Sequence, residues 1–249
     1  MIRTLVPDWP APSRIRSCTT LRDGGVSTGG YASLNLADHV EDDPAAVAEN
    51  RQRLTAALGL PEAPQWLSQV HGVQVHRLAV QPDAKTPAAD AVWTDQPDRI
   101  CAVLTADCLP VLFCDRSASC VAAAHAGWRG LADGVLEATV AALPAAASEL
   151  FAWMGPAIGP AVFEVGDEVR EIFISRHPQT APAFRPSPAG RWLADIYALA
   201  RIRLAACGVH AVFGGGECTF SDVDRFYSFR REPRTGRMAS LIWLQSETD

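Results

Sequence analysis

Three short apolar segments in the middle of the chain constrain its fold most, because they follow one another with no room for a helix between them. They cover residues 100–105, 109–114 and 120–124, and each has the length and composition of a buried strand. The connections at 106–108 and 115–119 are long enough for turns, but parallel neighbours require a crossover of a dozen or more residues. We therefore expect hairpin-connected strands in a mixed or antiparallel sheet, not a repeated βαβ unit.

Helical patterns lie mostly on either side of these strands. The clearest is at 44–58, where Asp43 is a capping residue, Pro44 suits the first turn and Gly59 ends the helix. Further helices are predicted at 131–143, 166–176 and 191–207, and further strands at 66–70, 74–78, 209–213 and 238–244. Together these elements predict an α+β fold in which mixed β-sheets are flanked by helices, with residues 1–249 forming a single domain.

Charge and composition exclude several classes of protein. A net charge of −6 argues against a general nucleic-acid-binding protein, which carries a basic face. The most apolar stretch, 150–163, contains Pro156 and Pro160 and is too short to cross a membrane. The N-terminus has no apolar signal segment and none of the seven cysteines forms a C-x-x-C pair, so we expect a cytoplasmic protein with reduced thiols. The sequence gives no signal for an oligomeric state.

Three junctions next to predicted strands combine glycine or proline with side chains that do chemistry. They are Q-V-H-G with His71, T-A-D-C-L-P with Asp107 and Cys108, and H-A-G-W-R-G with His125 and Arg129. From the residues alone, Asp107, Cys108 and His125 are candidate active-site residues, and both Cys–His nucleophilic catalysis and metal binding remain open. Arg129 stands at the start of a predicted helix, where backbone N–H groups favour an anion.

Ordered blocks along nearly the whole chain resemble one bacterial family. They are DGGVSTGGYASLNLADHVEDDP, ENRQRL, WLSQVHG, ADAVWT, TADCLPVLF, AAAHAGWRGL, GPAIGPAVFEVGDEV, LADIYALAR, ECTF and FYSFRREPRTGRMASLIWL. The family was once called multicopper polyphenol oxidase or laccase-domain proteins. Its relatives include proteins described as peptidoglycan-editing factors and as purine nucleoside phosphorylases with adenosine deaminase activity. This chain differs from the family pattern at Arg22, which we expect to follow the threonines directly.

The resemblance implies a metal site, usually described as zinc, held by His71, Cys108 and His125. Three protein ligands leave a fourth position for water or substrate, as in catalytic zinc sites. The implied activity is phosphorolysis of adenosine, inosine, guanosine and S-methyl-5′-thioadenosine to the free base and a pentose 1-phosphate, with deamination of adenosine. On this basis the catalytic residues are Cys108, His125, Asp107 and Arg129, and the substrates are purine nucleosides and phosphate.

The remaining polar residues receive provisional roles. Arg129 is the first candidate for a phosphate contact because an arginine holds phosphate in a bidentate fork, while Arg51 and Arg231 are weaker candidates. For Asp107 we favour support of a metal ligand over acid–base catalysis. Asp90, in the A-D-A-V-W-T block, has the same two alternatives.

Three other functions compete with this one. One cysteine with two histidines is also the ligand set of blue-copper centres, so copper is the alternative metal. The chain has only six histidines, too few for an additional trinuclear copper cluster, and polyphenol oxidation therefore ranks as a side activity. A metal-free amide hydrolase acting on peptidoglycan precursors would use Cys108 as nucleophile and His125 as base. A binding protein with a structural metal is the third, and the open fourth position counts against it.

Overall fold

The structure is a computed structural model that describes residues 1–80 and 85–246, and the remainder of the predicted domain lies outside the described residues. The strands are β1 (Thr4–Leu5), β2 (Ile15–Thr20), β3 (Val75–Arg77), β4 (Ala91–Thr94), β5 (Cys101–Thr105), β6 (Leu109–Asp115), β7 (Val121–Ala126), β8 (Leu150–Met154), β9 (Glu164–Val165), β10 (Phe184–Pro186), β11 (Trp192–Ala194), β12 (Ala211–Gly214) and β13 (Met238–Leu244). The α-helices are α1 (Pro44–Leu58), α2 (Trp128–Asp133), α3 (Val135–Ala142), α4 (Asp167–Arg176) and α5 (Ile196–Ala206). Short 3₁₀ turns lie at Gly29–Tyr31, Ala147–Glu149 and Pro178–Ala183.

Two sheets form the centre of the molecule. The main sheet has the strand order β12-β8-β6-β7-β4-β3, and the second sheet has the order β1-β2-β13-β5. Most neighbours in the main sheet are antiparallel, but β12 is parallel to β8 and β3 is parallel to β4. A third, small antiparallel sheet has the order β10-β11-β9, and its Val165, Phe184 and Ala194 belong to the apolar cluster that includes the main sheet. The α+β fold with mixed sheets flanked by helices is therefore confirmed.

The two sheets pack face to face, and helices cover their outer faces. Val103 and Ile242 of the second sheet share one apolar cluster with Leu112 and Val121 of the main sheet. The opposite face of the main sheet packs against α2 to α5, and the opposite face of the second sheet packs against α1 through Leu54. The central strands are covered on both faces, which explains why they read as continuous apolar runs and not as alternating patterns.

The central strands do not form one continuous meander. β6 and β7 are an antiparallel hairpin, as expected, but β5 pairs with β13 in the second sheet. The prediction of hairpin-connected strands in one sheet is therefore wrong for β5, which forms no hairpin with β6. The segment 106–108 consequently crosses from the second sheet to the main sheet, and it carries Asp107 and Cys108.

The helix at 44–58 is confirmed with its predicted bounds, because its end signals are local. The Asp43 carboxylate accepts a hydrogen bond from the backbone N–H of Ala45 at 2.9 Å, and Gly59 adopts the left-handed conformation that ends the helix. The helix predicted at 166–176 is also confirmed, at Asp167–Arg176.

Two other helices differ from their predictions. The helix predicted at 131–143 begins earlier, at Trp128, and it is divided into α2 and α3 at Gly134, whose φ of 106° interrupts the helical backbone. The helix predicted at 191–207 begins at Ile196, because Asp195 caps it and the preceding residues form β11. In both cases a local signal, Gly134 or the Asp195 cap, sets the helix end, whereas the prediction followed the spacing of the apolar residues.

Strands β2, β4 and β8 were not predicted from the sequence, whereas the strand expected at 66–70 is not formed. Within that segment Ser68 forms an isolated bridge to Ala88, and the preceding Gln65 forms another to Cys101. Within the described residues, no helix has both the length and the apolar character needed to cross a membrane.

Candidate functional site

The two sheets bring His71, Cys108 and His125 together from three separate segments. His71 lies in the loop before β3, Cys108 ends the crossing between the sheets, and His125 lies near the end of β7. The ligand atoms of the three side chains lie within 4.8 Å of one another, and Cys108 Sγ is 3.8 Å from His71 Nε2. Two imidazoles and a thiol form a donor set that suits zinc or copper. The group is thus able to hold a metal.

Asp90 fixes the positions of both histidines. Its side chain is fully buried, and Oδ1 lies 2.8 Å from Nδ1 of His125, so that Nε2 is the ring nitrogen left for a ligand. The same carboxylate accepts the backbone N–H groups of Val70, His71 and Gly72 at 3.2, 2.9 and 2.6 Å. A carboxylate behind a histidine is the usual outer support of a metal ligand. This support comes from Asp90, and the Asp107 carboxylate has other partners.

The backbone at His71 adopts a conformation that few residues other than glycine take. Its φ of 60° lies in the left-handed region, and the three N–H groups held by Asp90 stabilise it there. Gln69 anchors the same loop to β5, since its side chain donates to the carbonyl of Leu104 and accepts from the Leu104 N–H at 2.8 and 2.7 Å. The loop is therefore held on both sides although it is not a strand.

Gly127 leaves the space that two of the candidate metal ligands occupy. A Cβ atom at this position would lie 2.8 Å from Cδ2 of His71 and 3.0 Å from Sγ of Cys108. The φ of Gly127 is −61°, which any residue can adopt, so the requirement for glycine is steric. The H-A-G-W motif thus includes a glycine because a side chain would displace two of the three candidate ligands.

The Cys108 thiol and the His125 ring change each other's proton affinity. Burial by itself raises the pKa of Cys108, but the charge of His125 and hydrogen bonds with His125 and His71 lower it below its ordinary value. Burial by itself lowers the pKa of His125, and the charge of Cys108 with the hydrogen bond to Asp90 raises it above its ordinary value. The site favours the thiolate, which is the form that binds a metal or acts as a nucleophile.

A pocket of about 430 Å³ adjoins the three ligands and lies within the size range of small-molecule sites. Its apolar lining includes the aromatic rings of Trp128, Phe163 and Phe229. Aromatic faces of this kind pack against planar ligands. Phe229 keeps 52% of its surface exposed although it is a large apolar side chain, and the sequence analysis did not identify it.

Asp107 lies in the pocket lining, but protein donors occupy its carboxylate. Oδ1 accepts from the Thr219 hydroxyl at 2.6 Å, and Oδ2 accepts from the Ser228 hydroxyl at 3.0 Å and from the Arg230 N–H at 2.7 Å. Its φ of 91° is also unusual for a residue other than glycine. These contacts join the crossing segment to the C-terminal loops and fix the backbone next to Cys108.

Arg129 lies in the pocket lining and is exposed. Its guanidinium stacks on the neighbouring Trp128 ring, with 4.4 Å between Cζ and the ring centroid. If Arg129 had a structural role, its expected ion-pair partner would be Asp133, four residues further along the same helix. Asp133 pairs instead with Arg176, at 2.5 Å. Among the residues that the structure describes, no carboxylate forms an ion pair with Arg129, so its charge is available to a ligand.

The weaker arginine candidates lie outside the pocket and have partners of their own. Arg51 donates to the carbonyl of Leu36 and lies 3.3 Å from the Asp38 carboxylate. Arg231 donates to three backbone carbonyls, those of Thr219, Phe220 and Phe226. Arg22 is held in the same way, outside the pocket, by the carbonyls of Ala32 and Val223. These contacts give all three arginines structural functions.

The polar lining of the pocket also includes two arginines and a histidine that were not selected from the sequence: His39, Arg230 and Arg237. Arg230 donates from Nη1 to the carbonyl of Glu164 at 2.9 Å. Arg237 directly precedes the largely apolar strand β13, and it lies in the block FYSFRREPRTGRMASLIWL, where no role was assigned to it. Their proximity to Cys108 depends on the packing of the two sheets, which no local pattern encodes.

Comparisons with known proteins agree with the fold and with the motifs. Residues 16–245 match the family model described as multi-copper polyphenol oxidoreductase laccase. A purine nucleoside phosphorylase of Pseudomonas aeruginosa is 60% identical over 97% of this chain and 98% of its own. The purine nucleoside phosphorylase YfiH of Escherichia coli is 52% identical over 98% of this chain and 100% of its own.

Solved structures show the same fold over nearly the whole chain. A Neisseria meningitidis protein superposes with a TM-score of 0.93 at 50% identity, covering 98% of this chain and 99% of its own. YlmD of Geobacillus stearothermophilus superposes with a TM-score of 0.90 at 32% identity, covering 95% and 94% of the two chains. The chain therefore belongs to the multi-copper polyphenol oxidoreductase laccase family, whose relatives include proteins named purine nucleoside phosphorylases.

Proposed function

We propose that this protein is a zinc-dependent purine nucleoside phosphorylase that also deaminates adenosine. The observation that carries the proposal is the group of His71, Cys108 and His125 at one wall of a pocket with an aromatic lining. Relatives of high identity over nearly the full chain are named purine nucleoside phosphorylases, which supports the phosphorolytic part of the proposal. The proposed substrates are adenosine, inosine, guanosine and S-methyl-5′-thioadenosine, each together with inorganic phosphate.

The donor set and its surroundings fit zinc. Cys108 favours the thiolate form, and the Nδ1 atom of His125 faces Asp90, which leaves Nε2 for the metal. Three ligands leave one position open, the arrangement of a catalytic zinc. When bound, zinc supplies Lewis acidity and lowers the pKa of water. Copper is the alternative metal for the same ligands.

The chemistry assigns separate tasks to the pocket residues. In phosphorolysis, a phosphate oxygen forms a bond to C1′ of the pentose, the bond from C1′ to the purine nitrogen breaks, and its electron pair leaves with the base. Arg129 is proposed to hold phosphate, because its exposed guanidinium has no carboxylate partner in the described part of the chain. The rings of Trp128, Phe163 and Phe229 offer faces on which a purine packs.

The catalytic set that we propose is Cys108, His125, Asp107 and Arg129. Cys108 and His125 act as ligands, and Arg129 acts on phosphate. Asp107 positions Cys108, the next residue in the chain, because Thr219 and Ser228 donate hydrogen bonds to the Asp107 carboxylate and hold this segment in place. Asp90 adds a further positioning contact behind His125.

A panel of nucleosides tests this function directly. Purified protein is incubated with adenosine, inosine, guanosine or S-methyl-5′-thioadenosine, with phosphate supplied or omitted, and the base and pentose 1-phosphate are quantified. The proposal predicts base release that requires phosphate, and inosine formation from adenosine that does not. Base release at the same rate without phosphate would show that the protein hydrolyses the nucleoside, and it would contradict phosphorolysis.

Metal content provides the second test. Elemental analysis of the purified protein is expected to show zinc near one equivalent, and Cys108→Ala should remove most of it because the thiolate is the softest ligand present. Full zinc occupancy in Cys108→Ala would contradict the ligand assignment.

A second candidate function is metal-free hydrolysis of an amide, such as those of peptidoglycan precursors. Two contacts favour it: Cys108 interacts with His125, and His125 is hydrogen-bonded to the Asp90 carboxylate. This arrangement resembles a nucleophile, a base and a carboxylate that orients the base. Chelation separates the two functions, because a Cys–His hydrolase keeps its activity after the metal is removed. Polyphenol oxidation would accompany copper at the same ligands, as a side activity.

A further inference from the structure

Arg237 is a partly buried cation in the wall of the pocket. Its side chain lines the pocket, and burial lowers the pKa of its guanidinium although the charges of Cys108 and Asp107 act in the opposite direction. Within 1–80 and 85–246, no carboxylate lies at ion-pair distance from this guanidinium. A partly buried charge without a counterion is unfavourable unless a ligand supplies one.

The hydrogen bonds of Arg237 leave one edge of the guanidinium free. Nη1 donates to the carbonyls of Thr235 and Gly236 at 2.8 and 3.1 Å, and the Cζ atom lies 5.7 Å from the ring centroid of Phe229. Nε and Nη2 donate to none of the described residues. These two nitrogens form the edge with which arginine binds two oxygens of a carboxylate or phosphate.

The acidic groups that act on Arg237 are already engaged. The Asp107 carboxylate accepts from Thr219, Ser228 and Arg230, and the Cys108 thiolate is a ligand in the proposed metal site. His39 lies near as well, and burial together with the charge of Arg237 lowers its pKa, so this imidazole favours its neutral form and supplies no counterion for Arg237. With a metal at Cys108, this wall of the pocket carries an excess of positive charge.

We infer that Arg237 binds the inorganic phosphate of the reaction through its Nε–Nη2 edge, and that it is the principal phosphate contact of the pocket. The inference rests on the proposed phosphorolysis and names a residue to which the sequence assigned no role. Arg237 is half-buried whereas Arg129 is exposed. A charge-assisted contact is stronger where water is excluded, so Arg237 contributes more of the phosphate affinity than Arg129 does.

Calorimetric titration of the zinc-loaded protein with inorganic phosphate tests this assignment without relying on turnover. Arg237→Met keeps most of the apolar stem and removes the guanidinium, and Arg237→Lys keeps the charge and removes the two-nitrogen edge. Arg22→Met is the matched control, because Arg22 also donates to backbone carbonyls and stacks on an aromatic ring, that of Tyr227, but lies outside the pocket. Zinc content, melting temperature and inosine affinity are measured on every variant.

The expected result is phosphate binding that is about ten- to hundredfold weaker in Arg237→Met, with a smaller loss in Arg237→Lys. Zinc content, inosine affinity and the Arg22→Met control should match the parent. Unchanged phosphate affinity in Arg237→Met, or an equal loss in Arg22→Met, would overturn the assignment. If Arg237→Met does not fold, an unchanged phosphate affinity in Arg237→Lys would likewise overturn the assignment.

Two further outcomes separate this inference from the proposed function. Adenosine 5′-monophosphate is titrated in parallel, and if its binding depends on Arg237 while that of inorganic phosphate does not, the ligand is a nucleotide and the inference is wrong. Phosphate binding that depends on Arg237 in a protein forming no pentose 1-phosphate would support the inference and refute phosphorolysis.

Discussion

The Asp90 carboxylate lies 2.8 Å from Nδ1 of His125 and also accepts the backbone N–H of His71. One buried side chain therefore orients one candidate metal ligand through its ring and another through its backbone. The two candidate ligands come from different segments of the chain. Because Asp90 contacts both, it holds their ligand atoms at a defined distance from each other.

Replacing Asp90 by asparagine should weaken zinc binding by about ten- to hundredfold. The amide keeps the volume of the side chain but loses the charge that supports His125 and one acceptor for the N–H groups of the His71 loop. Competition with a chromophoric chelator measures the affinity. Asp115→Asn is the matched control, because Asp115 is also buried and accepts several hydrogen bonds, but it lies at the end of β6, outside the pocket lining. Parental zinc affinity in Asp90→Asn would show that the contact has no function in metal binding.

Gly127→Ala should disrupt the metal site without straining the backbone. The new Cβ atom would meet His71 and Cys108 at 2.8 and 3.0 Å, so at least one of these side chains must move. We expect the zinc affinity to fall by about tenfold or more. Gly216→Ala is the control, because a Cβ atom there has no neighbour within 4 Å. The two variants are compared by elemental analysis after dialysis, and equal zinc retention would argue against the steric requirement at Gly127.

Arg129→Ala should reduce phosphorolysis of inosine more than deamination of adenosine. Only phosphorolysis uses an anion, and loss of a charge-assisted contact reduces its rate by about ten- to hundredfold. Arg176→Ala is the control, since Arg176 pairs with Asp133 beside the same helix and lies outside the pocket. Both reactions are measured on one preparation of each variant. Equal losses of the two activities in Arg129→Ala would assign the residue a structural function.

Asp115 should stabilise the fold only above acid pH. Burial by itself raises its pKa, but hydrogen bonds from Ser117, Cys120 and Ser119 lower it below the ordinary value. A carboxyl with a lowered folded pKa contributes stability above its unfolded pKa of about 3.9 and loses the contribution as the pH falls through the folded pKa. Asp115→Ala should therefore lower the free energy of unfolding by about 2–4 kcal/mol at pH 7.

Urea unfolding at several pH values measures this effect. The difference between Asp115→Ala and the parent should shrink as the pH falls below about 4, because the parent then loses the same charge. Glu149→Gln is the control, since Glu149 is exposed and lies 3.6 Å from Arg116, and it should change the stability by about 0.5 kcal/mol or less. A difference that is constant down to pH 2 would show that the Asp115 charge does not stabilise the turn.

Parts of the fold could be predicted because their signals are local. The cap at Asp43 and the left-handed Gly59 define α1 completely, and the apolar runs locate β6 and β13. The membership of β5 in the second sheet could not be predicted, because it depends on pairing with β13 more than a hundred residues away. The single domain over residues 1–249 remains a prediction, and limited proteolysis yielding two stable, separately folding fragments would contradict it.

The site divides in the same way. His71, Cys108 and His125 stand in recognisable motifs, and the structure brings them together. Asp90 was one of two ambiguous carboxylates, and only its distances to His125 and Gly72 distinguish it from Asp107. Arg237 lies within the block FYSFRREPRTGRMASLIWL, but its relation to the pocket exists only after the C-terminal strand has paired with β5.

The most direct test of the central claim is the formation of ribose 1-phosphate from inosine by the purified protein. The reaction is followed with phosphate present or omitted, before and after chelation, and again after zinc is returned. We predict that ribose 1-phosphate and hypoxanthine form in equal amounts only with phosphate, and that chelation abolishes the reaction and zinc restores it. Undiminished turnover in the chelated, metal-free protein, or hypoxanthine release without phosphate, would contradict a metal-dependent phosphorylase.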